Sequence, residues 1–206
     1  MITIIDYGMG NLGSIENMIK KIGYKSLITS DIEEIKHADK LILPGVGAFD
    51  HGMKQLRESG LIEILNQKVS IEKTPILGIC LGMQLMTKSS EEGTIKGLGW
   101  IDAESKKFAS DELKIPHMGW NIIEHKKVSK LFDENESEKR FYFVHSYCVS
   151  CNNKGDILTT TPYIYDFTSS FERGNIIGTQ FHPEKSHKFG MSLIKNFVER
   201  DRKSVV

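Results

Sequence analysis

The chain has few cysteines, no excess of charge of either sign and no long apolar run. Its three cysteines, Cys80, Cys148 and Cys151, stand among 206 residues. So small and odd a number favours free thiols over a disulfide framework. Lysine plus arginine equals aspartate plus glutamate at 27 each, so the basic surplus typical of nucleic-acid binding is missing. No apolar run approaches the roughly 20 residues that cross a bilayer. The N-terminal Met1-Ile2-Thr3-Ile4-Ile5-Asp6 enters a strand pattern at once, without a signal peptide's basic start or cleavage site. These absences predict a cytosolic chain folded as a single domain over 1–206, long enough for an ample core.

Cys148-Val149-Ser150-Cys151 has the spacing of a metal knuckle. No second pair accompanies it, and the segment is expected to continue a strand from Phe141. Residues three apart on a strand face opposite sides, so neither a metal site nor redox chemistry is expected there.

What is present is alternation. Strand patterns over 2–6, 25–29 and 40–43 are interleaved with helical ones over 14–22, 31–37 and 50–68. Ser14 is the expected N-cap of the first helix and Gly23 its stop. Pro75 then opens another apolar strand. This order predicts an α/β fold with a mostly parallel central sheet flanked by helices, and with the site at the carboxyl ends of its strands. The second half adds short strands over 100–108, 120–124, 140–144, 157–161, 167–173 and 176–180, the last two joined by a Gly174-Asn175 hairpin. A final helix over 188–200 carries a stripe of Phe189, Leu193, Ile194 and Phe197. The run 133–139 reads as a charged solvated loop and 202–206 as a frayed tail.

The apolar strand from Pro75 ends in Gly78-Ile79-Cys80-Leu81-Gly82-Met83-Gln84 and passes into a helix. This is the nucleophile-elbow pattern with cysteine in place of serine. It predicts a tight turn that exposes the Cys80 side chain and sets the Leu81 N–H at a helix start, where an oxyanion can be held. About a hundred residues later stands Gln180-Phe181-His182-Pro183-Glu184. Taken singly, Cys80 reads as a small buried hydrophobe and His182 as a structural histidine. Together, Cys80, His182 and Glu184 supply a nucleophile, a base and its orienter. In extended chain His182 and Glu184 point to one side, with Pro183 stiffening the segment.

Pro44-Gly45-Val46-Gly47 directly follows a buried strand. Read as more than a turn, it supplies the second oxyanion donor, expected at Val46. Pro116-His117-Met118-Gly119-Trp120-Asn121 sets a tryptophan and a methionine in a glycine- and proline-rich context; exposed, they mark a partner surface. His145-Ser146-Tyr147 ends a strand on the catalytic side, with His145 as a rival base that lacks an adjacent carboxylate. Gly8-Met9-Gly10-Asn11-Leu12-Gly13 has dinucleotide-fingerprint spacing with Asp31 near the acidic position, which alone is weak evidence.

These segments together resemble the class I, triad-type glutamine amidotransferases over essentially the whole chain. Within that class they are similar to the glutaminase subunits of imidazole glycerol phosphate synthase, on Ile5 to Leu12, Leu43 to Gly47, Gly78 to Gln84, Pro116 to Asn121 and Gln180 to Ser186. The resemblance implies a flavodoxin-like fold with additional antiparallel strands in the second half. It implies hydrolysis of glutamine to glutamate and ammonia without a cofactor. The ammonia passes through a channel to a (β/α)8-barrel cyclase subunit in a heterodimer of histidine biosynthesis. It implies glutamine recognition by Gly45, Gly47, Gln84, Glu92, Ser146 and Tyr147, a Gly45–Val46 peptide that rotates before donating, and partner contacts at Asn11, Met118, Trp120 and Lys185. It also implies that the Gly8 to Gly13 loop serves the subunit interface rather than a dinucleotide. Gly13, where the family commonly has arginine, and the stretch 159–162 resemble relatives from surface-polysaccharide gene sets, which supply ammonia for acetamidino sugars. The acceptor therefore stays open, as does the lesser alternative of a stand-alone cysteine hydrolase of similar fold. A non-catalytic scaffold is disfavoured by the intact Cys80, His182 and Glu184 set.

Overall fold

A computed structural model of the chain describes residues 1–111, 113–132 and 139–200. The first half winds alternately: β1 (Ile2–Ile5), α1 (Leu12–Lys21), β2 (Ser26–Thr29), α2 (Ile32–Lys36), β3 (Lys40–Leu43), α3 (Phe49–Glu58), α4 (Leu61–Asn66), β4 (Ile76–Ile79) and α5 (Leu81–Leu85). The second half is mostly strands: β5 (Ser89–Ser90), β6 (Ala103–Lys107), β7 (His117–Ile122), β8 (Glu124–His125), β9 (Arg140–His145), β10 (Tyr147–Cys151), β11 (Ile157–Pro162), β12 (Asp166–Arg173) and β13 (Ile176–Thr179), closed by α6 (His187–Glu199).

One sheet has the order β2-β1-β3-β4-β13-β12-β10-β6-β5. Its first five strands are parallel. β13 folds back on β12 through the Gly174-Asn175 turn, and β12, β10 and β6 continue antiparallel. The inner parallel strands β1, β3, β4 and β13 read as largely apolar runs because both their faces are covered, whereas the edge strand β2 is only half-buried. Leu41 and Leu43 pack with Phe49, Leu56 and Leu65 from α3 and α4. The intervening Ile42 points the other way, to Ile15 and Ile19 of α1 and Leu193, Ile194 and Phe197 of α6. Full burial of one such side chain contributes roughly 1.5–3 kcal/mol. Phe189 of the expected stripe is partly buried against the same face.

Several boundaries differ from the sequence expectation. Helix α1 is capped by Asn11, whose side chain accepts from Ser14 N–H at 3.4 Å, so Ser14 lies inside the first turn. The helical pattern over 50–68 is split at Gly60, which takes φ +70°. It continues past Asn66 as a wide turn whose Lys68 is buried and donates to the Lys36 carbonyl at 2.9 Å. The strand expected over 100–108 begins only at Ala103, and that over 120–124 begins earlier and stops at Ile122. The strand character expected to continue from Phe141 through Cys151 belongs to two strands, the first ending at the expected His145-Ser146-Tyr147. β9 pairs with β7 in a separate ribbon, the chain turns at Ser146, and β10 joins the main sheet. Cys148 and Cys151 still face opposite sides, each against a different core cluster. Burial pushes their thiols up to about 11 and about 12. Of the run 133–139 only Lys139 is described, and it is buried rather than solvated; 202–206 lies outside the described residues. Among the described residues no helix is long and apolar enough to cross a membrane.

Candidate active site

Three neighbouring parallel strands, β3, β4 and β13, end side by side, and the loops leaving them carry Pro44 to Gly47, Cys80 and Gln180 to Glu184. The turn at Cys80 has φ +53° and ψ −109°, a region side chains avoid. It is pinned on both sides: Cys80 N–H donates to the Thr179 carbonyl at 2.7 Å, and Gln84 N–H to the Cys80 carbonyl at 3.2 Å. A Cβ on Gly82 would lie 1.9 Å from the Leu43 carbonyl. The glycine is therefore required because α5 begins pressed against the end of β3. Cys80 is 7% exposed and lines a cavity of about 340 Å³. Val46, Gly47, Leu81, Gln84, Glu92, Ser146, Tyr147 and His182 line it as well, so the structure brings most of the expected site residues to one place.

His182 is buried, and its Nδ1 lies 2.7 Å from Glu184 Oε1. The pairing does not come from extended chain. His182 is extended, but Pro183–Lys185 form one tight helical turn that brings the carboxylate back to the ring. His182 N–H donates to the Tyr142 carbonyl at 2.9 Å, and Ser186 Oγ donates to the His182 carbonyl at 2.6 Å, which fixes the backbone. His182 Nε2 and Glu184 Oε2 are buried without hydrogen-bond partners. Burial alone lowers the imidazole pKa, yet the hydrogen bond from Nδ1 to Glu184 and the nearness of Cys80 raise it to about 10. The imidazolium is thus the form this site favours. His145, the rival base, is held down to about 3 by burial. Its Nδ1 faces the Tyr147 carbonyl at 2.8 Å.

The loop after β3 turns an acceptor toward the elbow. Leu81 N–H donates to the Gly45 carbonyl at 3.3 Å. The Gly45–Val46 peptide thus turns its oxygen, not its N–H, toward the nucleophile's neighbour, and an oxyanion hole made by Leu81 and Val46 is not assembled in this conformation. A Cβ on Gly45 would lie 2.8 Å from both Gly82 N and Tyr7 Oη. Tyr7 Oη in turn donates to the Pro44 carbonyl at 2.6 Å.

Gln84 is buried, and its amide nitrogen donates to the Tyr147 carbonyl at 3.1 Å and to Gln180 Oε1 at 3.0 Å, leaving only Oε1 for a ligand. The Ser146 carbonyl accepts from Phe108 N–H at 3.0 Å, so the carbonyls of 146 and 147 are both already engaged. Glu92 accepts from Phe49 N–H at 2.8 Å, closing the open start of α3, while also lining the cavity. Gln180, whose Nε2 is 3.7 Å from Cys80 Sγ, had no role in the sequence reading. The signal was present: it stands two residues before His182, on the side that faces the elbow strand.

Met118 and Trp120 project from β7 at 61% and 46% exposure. Trp120 stacks on His187, with ring centroids 5.4 Å apart and planes at 5°. Lys185 is exposed, with Nζ 5.8 Å from the Tyr142 ring centroid. Asn11 is exposed at the start of α1, whose Ser14 shares a second depression with Lys185 and His187. Asp31 does not await a ribose: its carboxylate caps α2, accepting from Glu33 and Glu34 N–H at 2.7 and 3.2 Å.

The family model for class-I glutamine amidotransferases matches residues 3–200. The chain is 61% identical to the imidazole glycerol phosphate synthase subunit HisH 2 of Methanococcus maripaludis, over 97% of this chain and 100% of that one. It is 50% identical to the protein of the same name from Pseudomonas aeruginosa, over 97% and 99%. A solved glutamine amidotransferase superposes with a TM-score of 0.74 at 18% identity, covering 97% of this chain and 98% of the other; that likeness speaks to the fold.

Proposed function

Because the chain belongs to the class-I glutamine amidotransferases, we propose that it is the glutaminase subunit of an imidazole glycerol phosphate synthase. In this reading it hydrolyses glutamine through a Cys80 thioester and passes ammonia to a cyclase subunit built as a (β/α)8 barrel. The observation that carries the chemistry is the buried Glu184–His182 pair, whose imidazole lines the same cavity as Cys80. The Cys80 thiolate attacks the side-chain carbonyl of glutamine. His182 gives its proton to the departing ammonia, then takes one from the water that cleaves the thioester, while Glu184 keeps the ring oriented. The oxyanion is held by Leu81 N–H and, once the Gly45–Val46 peptide has rotated, by Val46 N–H; one such donor is typically worth about 10²–10³-fold in rate. Glu92 pairs with the substrate ammonium, and Gly45, Gly47, Gln84, Ser146 and Tyr147 shape the rest of its cradle.

The pathway assignment is supported by the names of the relatives at 61% and 50% identity. A second reading, ammonia supply for acetamidino-sugar synthesis by a paralogue, is favoured by one observation. Gly13 sits in the exposed first turn of α1, where an added side chain would meet nothing within 4 Å. The arginine common in the family is therefore missing for no reason internal to this fold. Reconstitution decides. The chain is mixed with a histidine-pathway cyclase subunit, and glutamate formation is followed with and without the phosphoribulosyl-formimino acceptor. Acceptor-stimulated turnover, lost in Cys80→Ala while ammonia-driven synthesis persists, is expected. No stimulation by this cyclase, with stimulation by a sugar-amidating synthetase instead, selects the second reading.

A further inference from the structure

The hydrogen bonds behind the cavity form a single string whose direction is dictated by one atom. The Tyr147 carbonyl can only accept. His145 Nδ1, 2.8 Å away, must therefore carry the ring's proton, which leaves Nε2 a bare acceptor. His117 Nδ1 lies 3.0 Å from that Nε2, so it too carries its proton, and His117 Nε2 accepts from the Asn121 amide at 3.2 Å. On the other side, Gln84 gives one amide hydrogen to the same carbonyl at 3.1 Å and the second to Gln180 Oε1 at 3.0 Å. The Gln180 amide nitrogen is then left facing Cys80 Sγ at 3.7 Å. His117, His145, Gln84 and Gln180 are all buried. A buried network whose members are mutually satisfied is rigid, and reversing one member would leave donors facing donors.

We propose that Gln180 is a catalytic residue that donates an N–H to the sulfur of Cys80, that Gln84 is a positioning residue that keeps its amide from flipping, and that His145 and His117 are positioning residues that hold in place the Tyr147 carbonyl on which Gln84 is anchored. The proposal rests on Cys80 being the nucleophile. A thiolate in a site this enclosed loses hydration and needs donors. The ionisable groups around the sulfur are His182 with Glu184 behind it, Tyr7, Glu92 and His145. His182 ceases to be a cation once it gives its proton to the leaving group. Gln180 is a neutral donor that keeps its hydrogen throughout, so the thiolate remains partnered when it is regenerated. With the amide reversed, its oxygen would repel that same charge.

The test is alkylation of Cys80 by iodoacetamide, read by mass spectrometry as a function of pH, with Cys80→Ala as the blank. It needs neither glutamine nor a partner. Cys148 and Cys151, held at about 11 and about 12, stay protonated and slow. Gln180→Leu is expected to slow alkylation near neutral pH by about fivefold, the worth of one hydrogen bond, and to move its midpoint upward. His117→Phe should shift it in the same direction. His117→Gln, which can accept from Asn121 and donate to His145, should restore it. An unchanged midpoint in Gln180→Leu overturns the role of Gln180, and equal shifts in His117→Phe and His117→Gln overturn the positioning string. Should the variants not fold, nitrogen NMR of the unmodified chain decides. Both histidines must be neutral with the proton on Nδ1; an Nε2–H tautomer or a charged ring on either overturns the string. Normal alkylation behaviour with no glutamine hydrolysis in any complex would defeat the proposed function and leave this inference standing. A wild-type Cys80 that resists alkylation below pH 9 would remove the nucleophile and both proposals with it.

Discussion

At the scale of single residues, the proposed roles of His182 and Glu184 are unequal. The ring moves protons at the reacting atoms, whereas the carboxylate acts through the ring, accepting at 2.7 Å from Nδ1. His182→Ala is therefore expected to lower kcat by about 10⁴-fold and Glu184→Gln by about 10²-fold, the two ends of the range for proton-transfer catalysis. Steady-state glutamine hydrolysis in the complex checks the order, and the reverse order would require new roles. Glu92 has two duties that two substitutions separate. Glu92→Ala removes both the charge and the bond to Phe49 N–H, so it should raise KM for glutamine and also cost about 1 kcal/mol of helix-cap stability. Glu92→Gln retains an acceptor for Phe49. It should raise KM by about as much with little change in urea midpoint, and an unaltered KM in both variants removes Glu92 from substrate binding.

At the scale of elements, the β7–β9 ribbon controls the site from behind. His117 and His145 are register partners across it, and Tyr142 on β9 holds the backbone of His182. Burial holds the two imidazoles at about 4 and about 3, below the usual 6.5. The unfolded chain takes up protons below 6.5 that the folded chain refuses. Their contribution is thus fully present above pH 6.5 and is lost as pH falls from there toward 4 and 3. His182 works in a separate window: raised to about 10, it contributes below 6.5, and that contribution is lost as pH climbs through 10. Urea midpoints should therefore fall on acidification from pH 7 to 5. The fall should be shallower in His145→Gln, by at most about 1.4 kcal/mol per pH unit. A parallel fall in both would exclude His145 as a cause.

This ribbon is also where the sequence was least legible. The alternation of β1 through β4 was plain because apolar runs covered on both faces leave an unambiguous pattern, and Gly78 to Gln84 announced its own turn. The end of a strand at His145-Ser146-Tyr147 was legible, but not that the chain changes sheets there, because Phe141 to Cys151 keeps strand character and only the partners change, β7 before the break and β6 after it. Asn11 and Ser14 both have good capping side chains, and which one caps depends on where the chain leaves β1. Gln180 was visible in its motif, but its part depends on Gln84, 96 residues away in sequence.

At the scale of the whole molecule, Met118 and Trp120 form an apolar outcrop on the outer side of that ribbon. On the proposed reading this outcrop is an anchor for the synthase subunit. Trp120→Ala should then weaken association at least tenfold, as an anchoring aromatic does, while the isolated chain keeps its urea midpoint; titration calorimetry and chemical unfolding read the two quantities. Loss of folding with unchanged association would move the interface elsewhere. The inward-turned Gly45 carbonyl has a consequence for the cell rather than for the site. On the proposed reading, in which that peptide rotates only in the complex, a subunit made in surplus spills no nitrogen. Its gene dosage and its partner's need not be matched, and a shortage of the synthase subunit leaves the glutamine pool untouched.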